Sequence, residues 1–288
     1  MQSDFKYIAE DIRRQIDGSL AAVGILFRAF ARGKDKKSIE EKIRREPGKY
    51  QVDGKMIQDI IGVRIALYFR EDIPIVQDIL CSKYSIDSTA SAIDKPDSDQ
   101  FSVTRHNLVF KLPRDDEDNF RRISGSNPFD STFEVQIRSI LSEGWHEVEH
   151  DLRYKAKDNW QNHDDLSRTL NGIVATLETA EWSMGKVFDE LAYRHYREKN
   201  WPGMLSSLLK MRVKNTISNE LIAILDTHPS AAKDLLRIKR PKLIMALSEC
   251  RPRIPITMEN LVYVWNAIGP KHEQILELTP DIIMEATQ

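Results

Sequence analysis

The sequence has few cysteines, no long apolar run and almost no net charge. Among its 288 residues there are two cysteines, Cys81 and Cys250, which is too few for a disulfide framework or a metal-binding repeat. The N-terminus is polar and lacks the apolar core of a secretory signal, and no stretch reaches the ~18 apolar residues of a membrane helix. These absences favour a cytoplasmic protein in a reducing compartment, with no membrane partner.

The charges are nearly balanced, with 42 Lys and Arg against 44 Asp and Glu. A general attraction to nucleic acid or to an anionic membrane is therefore not expected. Any anionic ligand must be held by a local cluster of basic side chains. The composition, 41% hydrophobic and 30% charged, is that of an ordinary globular protein with one large domain or two modest ones.

Apolar periodicity divides the chain into a mixed part and a helical part. Residues at three- and four-residue steps, from Phe5 to Phe27, predict helix over the first forty-odd residues, and a second helix is predicted over 36–45. Strands are predicted over 62–69, 105–112 and 132–139, with a helix over 73–80.

From residue 140 onward the pattern is helical, and a boundary is predicted near 199–203. The fold class is α+β, in which a mixed β-sheet flanked by helices is followed by an all-helical C-terminal region. We assign residues 1–198 to the first domain and 199–288 to a helical accessory region. We interpret the accessory region as a packing or homo-oligomerisation unit in preference to a ligand sensor.

A basic cluster, RGKDKKSIEEK, begins at Arg32. If a helix begins at Asp35, its N-terminal amides together with Lys34 and Lys42 form a compact positive site suited to a polyphosphate. A solvated basic helix face would have the same sequence. The cluster alone therefore does not decide between the two.

Two apolar strands carry further polar candidates. Asp59 precedes the first strand, where its carboxylate could ligate a hard cation, and the guanidinium of Arg64 could stack on a base. A turn cap and an edge-strand arginine are the simpler alternatives. In the third strand, alternation puts Glu134, Gln136 and Arg138 on one face, which fits either an active-site floor or a solvent-exposed surface.

The segment GWHEVEHDLRYK predicts a helix with two faces. Trp145, Val148 and Leu152 share one face and are expected to pack. His146 and His150 are four residues apart, so they could bind zinc together. A hydrogen-bonded packing role is commoner for a helical histidine, and we prefer it.

Four motifs occur in order: R-x-K-x-x-x-S-x-x-x-K, D-x-x-G-x-R-I, E-x-Q-I-R-S and W-x-x-x-E-H-D-L-R-Y-K. Together they resemble the synthetase domain of RelA/SpoT alarmone synthetases over about residues 32–155. The resemblance implies a nucleotidyltransferase-like fold. It implies a Mg²⁺-dependent pyrophosphokinase that moves pyrophosphate from ATP to the 3′-hydroxyl of GDP or GTP. The products would be AMP and a (p)ppGpp-type alarmone of the stringent response. The long enzymes of this family also carry an N-terminal hydrolase domain. No such domain fits before Arg32, so we do not expect hydrolase activity.

The resemblance also implies a role for each matched residue. Arg32 and Arg64 would sandwich the adenine, and Lys34, Ser38 and Lys42 would lie at the ATP phosphates. Asp59 and Glu134 would hold magnesium, with Glu134 also a candidate base for the attacking hydroxyl. Gln136, Arg138, Glu143 and His106 would bind the acceptor.

The acceptor loop departs from the family pattern G-Y-R-S-x-H. Residues 102–107 read SVTRHN, so Val103 occupies the position of the tyrosine that stacks on guanine, and Phe101 or His106 would have to supply a ring. A carboxylate at Glu143 could accept from N1–H and the 2-amino group of guanine, which adenine does not offer. Glu143 therefore favours a guanine nucleotide.

Two alternatives follow from the altered loop. A toxin-like synthetase would modify an adenosine nucleotide or a tRNA 3′ end, and the basic stretch RIKRPK at 237–242 could meet RNA. tRNA is the less favoured partner because the chain is not basic overall. A catalytically silent nucleotide-binding regulator is the other alternative, and the presence of both Asp59 and Glu134 speaks against it.

Overall fold

The computed structural model describes residues 2–94, 105–214 and 216–287. These form two compact units. The first contains the chain up to Asp17, Phe27–Ile73 and Leu80–Thr179, and the second contains Gly18–Leu26, Pro74–Ile79 and the chain from Ala180 onward. The domain boundary predicted between residues 198 and 199 stays a prediction.

A mixed sheet lies at the centre of the first unit. Within the described residues its strands are β1 (Phe27–Gly33), β2 (Ile61–Leu67), β3 (Ala92–Ile93), β4 (His106–Lys111) and β5 (Thr132–Ser139). They lie in the order β1-β2-β5-β4-β3. The central strand β5 runs parallel to β2 and antiparallel to β4, and β1 pairs antiparallel with β2 at one edge.

Helices accompany the strands along the chain. They are α1 (Gln2–Ala21), α2 (Lys36–Arg45), α3 (Ile73–Lys83), α4 (Arg114–Ser124), α5 (Ile140–Glu149) and α6 (Asp164–Arg197). One π-helical turn, His150–Tyr154, continues α5 directly. Phe110, Phe120 and Phe133 are among the largest fully buried side chains, and the rings of Phe110 and Phe133 stack with centroids 5.4 Å apart. These phenylalanines lie in a core that consists mostly of Ile, Leu and Val.

The C-terminal part of the second unit is entirely helical where it is described. It contains α7 (Trp201–Leu209), α8 (Asn219–Thr227), α9 (Pro229–Leu236), α10 (Arg240–Glu249), α11 (Met258–Ile268), α12 (Glu273–Leu278) and α13 (Asp281–Ala286). The predicted α+β architecture, a mixed sheet flanked by helices and followed in the chain by an all-helical region, is confirmed. In the described part of the chain, no helix is both long and apolar enough to cross a bilayer.

The prediction of continuous helix over the first forty-odd residues is wrong after Ala21. The apolar stripe itself is confirmed, because Phe5, Ile8, Ile12 and Ile16 on α1 are buried. Beyond it, residues 27–33 form β1, in which the more buried Phe27, Ala29 and Ala31 alternate with the exposed Arg28, Phe30 and Arg32. Gly24 adopts a positive φ of 73°, a conformation that ends a helix.

The predicted packing of the α5 face is also wrong for two residues. Val148 is 47% exposed and Leu152 is 64% exposed. The indole of Trp145 is partly buried and donates to the Leu170 carbonyl at 3.2 Å. Helical spacing placed the three residues on one face, but spacing does not show whether a neighbouring element covers that face.

Candidate functional site

The strand register brings the candidate residues together on one face of the sheet. In one row across β1, β2 and β5, Arg32, Gly62 and Glu134 are neighbours, and in the next row the neighbours are Phe30, Arg64 and Gln136. Because side chains two apart in a strand share a face, both rows project to the same side. Gly62 has no side chain, so the floor between Arg32 and Glu134 is open.

A cavity of about 590 Å³ lies over this face. Of the residues predicted from the sequence, it is lined by Arg32, Lys34, Asp59, Arg64, Glu134 and Gln136. The remaining walls include Phe30 from β1 together with Glu147, His150, Asp151, Tyr154 and Lys155 from α5 and the segment after it. The sequence motif around Trp145 contains this second wall. Of its residues, only His150 had a predicted role, which was packing in preference to zinc binding.

Asp59 forms an ion pair with two lysines. Lys34 Nζ lies 2.5 Å from Asp59 Oδ2, and Lys42 Nζ lies 2.9 Å from Oδ1. Burial alone would raise the pKa of Asp59, but the hydrogen bonds and charges of the two lysines outweigh it and hold that pKa below the usual range. Asp59 is therefore held as a carboxylate.

The pKa values of Lys34 and Lys42 are shifted in opposite directions, although both lysines bind Asp59. Burial lowers the pKa of Lys34 despite its bond to Asp59. Burial also acts on Lys42, but there the hydrogen bond and charge of Asp59 prevail, and the pKa is raised. The difference agrees with exposure, since the side chain of Lys34 is 14% exposed and that of Lys42 is 32% exposed.

The pKa of Glu134 is shifted in the opposite direction from that of Asp59. Burial, and after it the negative charge of Asp59, raise the pKa of Glu134. Its oxygens accept from two neutral amides, Asn107 Nδ2 at 3.0 Å and Gln136 Nε2 at 3.2 Å. Among the described residues no Lys or Arg hydrogen-bonds to Glu134, and a carboxyl group with a raised pKa is suited to accepting a proton.

Asn107 had not been selected from the sequence. It is the strand partner of Gln136, and its Oδ1 is buried without a hydrogen-bond partner among the described residues. The available signal was its place in the acceptor-loop motif, since Asn107 aligns with the final histidine of G-Y-R-S-x-H.

His106 lies on the opposite face of the sheet from Asn107. Successive strand residues face opposite sides of a sheet, so His106 lies away from the face that carries Gln136. Burial lowers its pKa, and its Nε2 has no partner among the described residues. Phe101 and Val103 lie outside the described residues.

A second ion-pair network lies beside the cavity. Arg64 Nη1 donates to Glu143 Oε1 at 2.7 Å and also to Glu147. Arg138 Nη1 donates to Glu143 Oε2 at 2.9 Å, and burial lowers the pKa of Arg138. Both oxygens of the buried Glu143 are thus bound by arginines.

Ser38 lies in the first turn of α2, where Asp35 is the N-cap. Asp35 accepts from the Ser38 amide at 2.8 Å and from its hydroxyl at 2.9 Å. This is the capping arrangement expected of an aspartate at a helix start. The predicted role of Ser38 at a phosphate stays a prediction.

Gly33 fixes the position of the segment that carries Arg32 and Lys34. A Cβ added at Gly33 would lie 2.7 Å from Lys6 N and 2.9 Å from Lys6 Cα. These are backbone atoms of α1, which cannot move aside as a side-chain end could. Close backbone contact with α1 therefore requires glycine here.

The oxygen donors of the site fit a magnesium ion. Magnesium is commonly held by one or two carboxylates, with waters and substrate phosphates completing the shell. Asp59 and Glu134 supply two carboxylates that repel one another, and Asn107 adds the unpartnered oxygen. Over the described residues, no group of three or more His, Cys, Asp or Glu side chains is placed to hold a metal ion.

The basic stretch at 237–242 is less accessible than its sequence suggests. The Arg240 guanidinium is buried and donates to the carbonyls of Leu209 and Lys210. Arg237, Lys239 and Lys242 are exposed. One of the four basic residues predicted to meet RNA is therefore a structural residue.

The cleft brings together four carboxylates, two lysines and two arginines, which are groups that bind hard cations and phosphates in proteins. Residues 31–159 match the family described as "Region found in RelA / SpoT proteins". The matched segment contains all of the residues that line the cleft except Phe30. The predicted family resemblance is confirmed.

Solved structures of bacterial proteins are similar to the chain. Small alarmone synthetase 1 from Bacillus subtilis, bound to its product pppGpp, is 21% identical with a TM-score of 0.49, covering 66% of this chain and 95% of that one. A GTP pyrophosphokinase family protein from Streptococcus pneumoniae is 18% identical with a TM-score of 0.46, covering 65% and 91%. No curated protein matches the sequence.

Proposed function

We propose that the chain is a pyrophosphokinase that transfers pyrophosphate from ATP to the 3′-hydroxyl of GDP or GTP. The observation that carries the proposal is the division of the two acids within a RelA/SpoT-type region. Asp59 is held ionised by Lys34 and Lys42, whereas Glu134 has a raised pKa and neutral hydrogen-bond partners.

The donor half of the site is assigned to β1, α2 and β2. Lys34 and Lys42 would bind the ATP phosphates, exchanging part of their contact with Asp59 for phosphate oxygens. Arg32 and Arg64 would stack on the adenine, and Ser38 would lie near the phosphates. Magnesium held by Asp59 and Glu134 would neutralise phosphate charge, which is the main requirement of phosphoryl-type transfer.

The acceptor half is assigned to β5 and its neighbours. Glu134 accepts the proton of the 3′-hydroxyl as that oxygen bonds to the β-phosphorus. The bond between the β-phosphorus and the oxygen bridging to the α-phosphorus breaks, and AMP leaves with that oxygen. Gln136 and Arg138 would orient the acceptor, and Glu143 would contribute to base recognition. His106 lies on the other face of the sheet and has no role in this assignment.

Thin-layer chromatography tests this assignment. Purified protein, magnesium and γ-labelled ATP are incubated with GDP, GTP, ADP or tRNA, and the label is followed. We expect label on GDP or GTP. Asp59→Asn removes the charge of the proposed ligand and should abolish transfer, whereas Asp53→Asn, an exposed aspartate six residues earlier, should not.

The other outcomes distinguish the alternatives. Label on ADP or tRNA in preference to guanine nucleotides replaces the guanine assignment with a toxin-like one. ATP binding without transfer to any acceptor replaces the enzyme with a silent regulator.

A further inference from the structure

Phe30 is an aromatic side chain that the polar cleft leaves exposed. It is 56% exposed on the edge strand β1, yet it lines the cavity together with charged residues such as Arg32 and Asp59. Single exposed hydrophobic residues are common on protein surfaces. A phenyl ring inside a ligand-sized charged cleft is a different case, because it offers a stacking surface where a ligand is expected.

The position of Phe30 places it beside the proposed adenine site. Its Cα partner across the sheet is Arg64, and directly opposed side chains on one sheet face are in reach of one another. Arg64 is drawn towards α5 by Glu143 and Glu147. Phe30 is therefore the neighbour of Arg64 on the side of β1, while the Arg64 guanidinium is bound on the side of α5.

The other phenolic or phenyl ring of the cleft, Tyr154, is already engaged. His150 stacks on it with centroids 5.7 Å apart and planes at 12°, and Lys157 Nζ lies 4.6 Å from its centroid. Phe30 contacts neither another ring nor a cation among the described residues. Of the two, Phe30 is the ring with a free face.

We infer that Phe30 stacks on the purine of ATP and forms, with Arg32 and Arg64, the binding site for the donor base. The inference rests on the proposed function, because it requires ATP as a ligand of this cleft. Base–aromatic stacking tolerates any purine, so Phe30 supplies affinity for a base and leaves the choice between bases to polar groups.

Calorimetric titration with two ligands measures how much the base contributes to binding. Wild-type protein and Phe30→Ala are titrated with magnesium–ATP and with inorganic triphosphate, which lacks the base. We expect Phe30→Ala to weaken ATP binding roughly tenfold and to leave triphosphate binding within about twofold, as is usual for the loss of one stacked base. Phe30→Trp should restore ATP binding.

Tyr7→Ala is the matched control, since Tyr7 is an aromatic residue on α1 that is 68% exposed and does not line the cavity. It should bind both ligands like the wild type. In turnover, Phe30→Ala should raise the KM for ATP and leave the KM for the acceptor unchanged.

Four results would overturn the inference. Wild-type affinity of Phe30→Ala for ATP would show that the ring does not contact the base, with the proposed function intact. Equal loss of ATP and triphosphate would indicate a distorted cleft, and a defect confined to the acceptor would move Phe30 to the other half. Failure of the wild-type protein to bind ATP would remove the proposed function together with the inference.

Discussion

The negative charge of Asp59 raises the pKa of Glu134. Burial contributes more to that shift, and the amides of Asn107 and Gln136 oppose it. The two carboxylates thus lie close enough to interact, and they differ in which form is favoured. A cation between them would relieve the repulsion, and so would a proton on Glu134.

Asp59→Asn is expected to lower the pKa of Glu134. The substitution removes the repelling charge and leaves the positive charges of Lys34 and Lys42 uncompensated, and both changes favour the ionised Glu134. Carbon-13 NMR of labelled glutamate carboxyl groups, followed against pH, measures the shift. Asp53→Asn is the control. An unchanged Glu134 titration in Asp59→Asn would mean that the acids are not coupled.

Asp59→Ala and Glu134→Ala are expected to abolish pyrophosphate transfer while the fold is retained. Loss of one oxygen ligand from a two-carboxylate site removes several kcal/mol of transition-state stabilisation, about a hundredfold or more in kcat. Turnover and circular dichroism are measured on the same preparations. Near-wild-type turnover in either variant would contradict the magnesium assignment.

Lys42→Ala is expected to reduce stability at neutral pH more than in acid. The pKa of Asp59 is lowered in the folded protein, so its stabilisation is present above the unfolded value, about 3.9, and is lost as the pH falls through the folded value. Urea unfolding at several pH values tests this. The exposed Lys55→Ala should show no such pH dependence, and a Lys42→Ala deficit that persists in strong acid would refute it.

Glu143→Gln separates two roles for that residue. If Glu143 reads guanine, the variant should lose about tenfold or more of its preference for GDP over ADP, because one buried hydrogen-bond pair costs about 1–3 kcal/mol. If Glu143 acts by holding Arg64 and Arg138, the KM for ATP should rise instead. Steady-state kinetics with both acceptors measures the preference between GDP and ADP and the KM for ATP. A rise in the KM for ATP with an unchanged acceptor preference would contradict the guanine assignment.

Gly33→Ala is expected to destabilise the protein by about 1–3 kcal/mol, the usual effect of an overpacked site. The new methyl group would meet the backbone of α1 at Lys6. Gly144→Ala is the matched control, because a Cβ there meets no atom within 4 Å and alanine favours a helix. Thermal unfolding of both variants decides, and equal stability would mean that α1 yields to the methyl group.

Strand β5 shows how far the sequence could predict the site. The alternation of Phe133, Val135 and Ile137 with Glu134 and Gln136 predicted both the strand and the face that carries the acid, because a half-buried strand has a period of two. The helix predicted over residues 36–45 has the same bounds in the structure, where it is α2.

Strand β1 shows why other features could not be predicted. Phe27, Phe30 and Ala31 follow Val23 at three- and four-residue steps, so they continue the apolar stripe of the preceding helix and hide the change of period. The contact of Asn107 with Glu134 joins residues far apart in sequence, as does the bond between Arg64 and Glu143. Such pairings depend on strand order, which local periodicity does not contain.

The backbone contact between α1 and Gly33 has a consequence for transplanting this domain. Sequence similarity to the RelA/SpoT region begins at residue 31, yet the turn that carries Arg32 and Lys34 is braced by residues 5 and 6. A fragment that begins at residue 31 would keep every motif but lose the contact between Gly33 and α1. The segment recognised by family similarity is therefore shorter than the segment that holds the site in place.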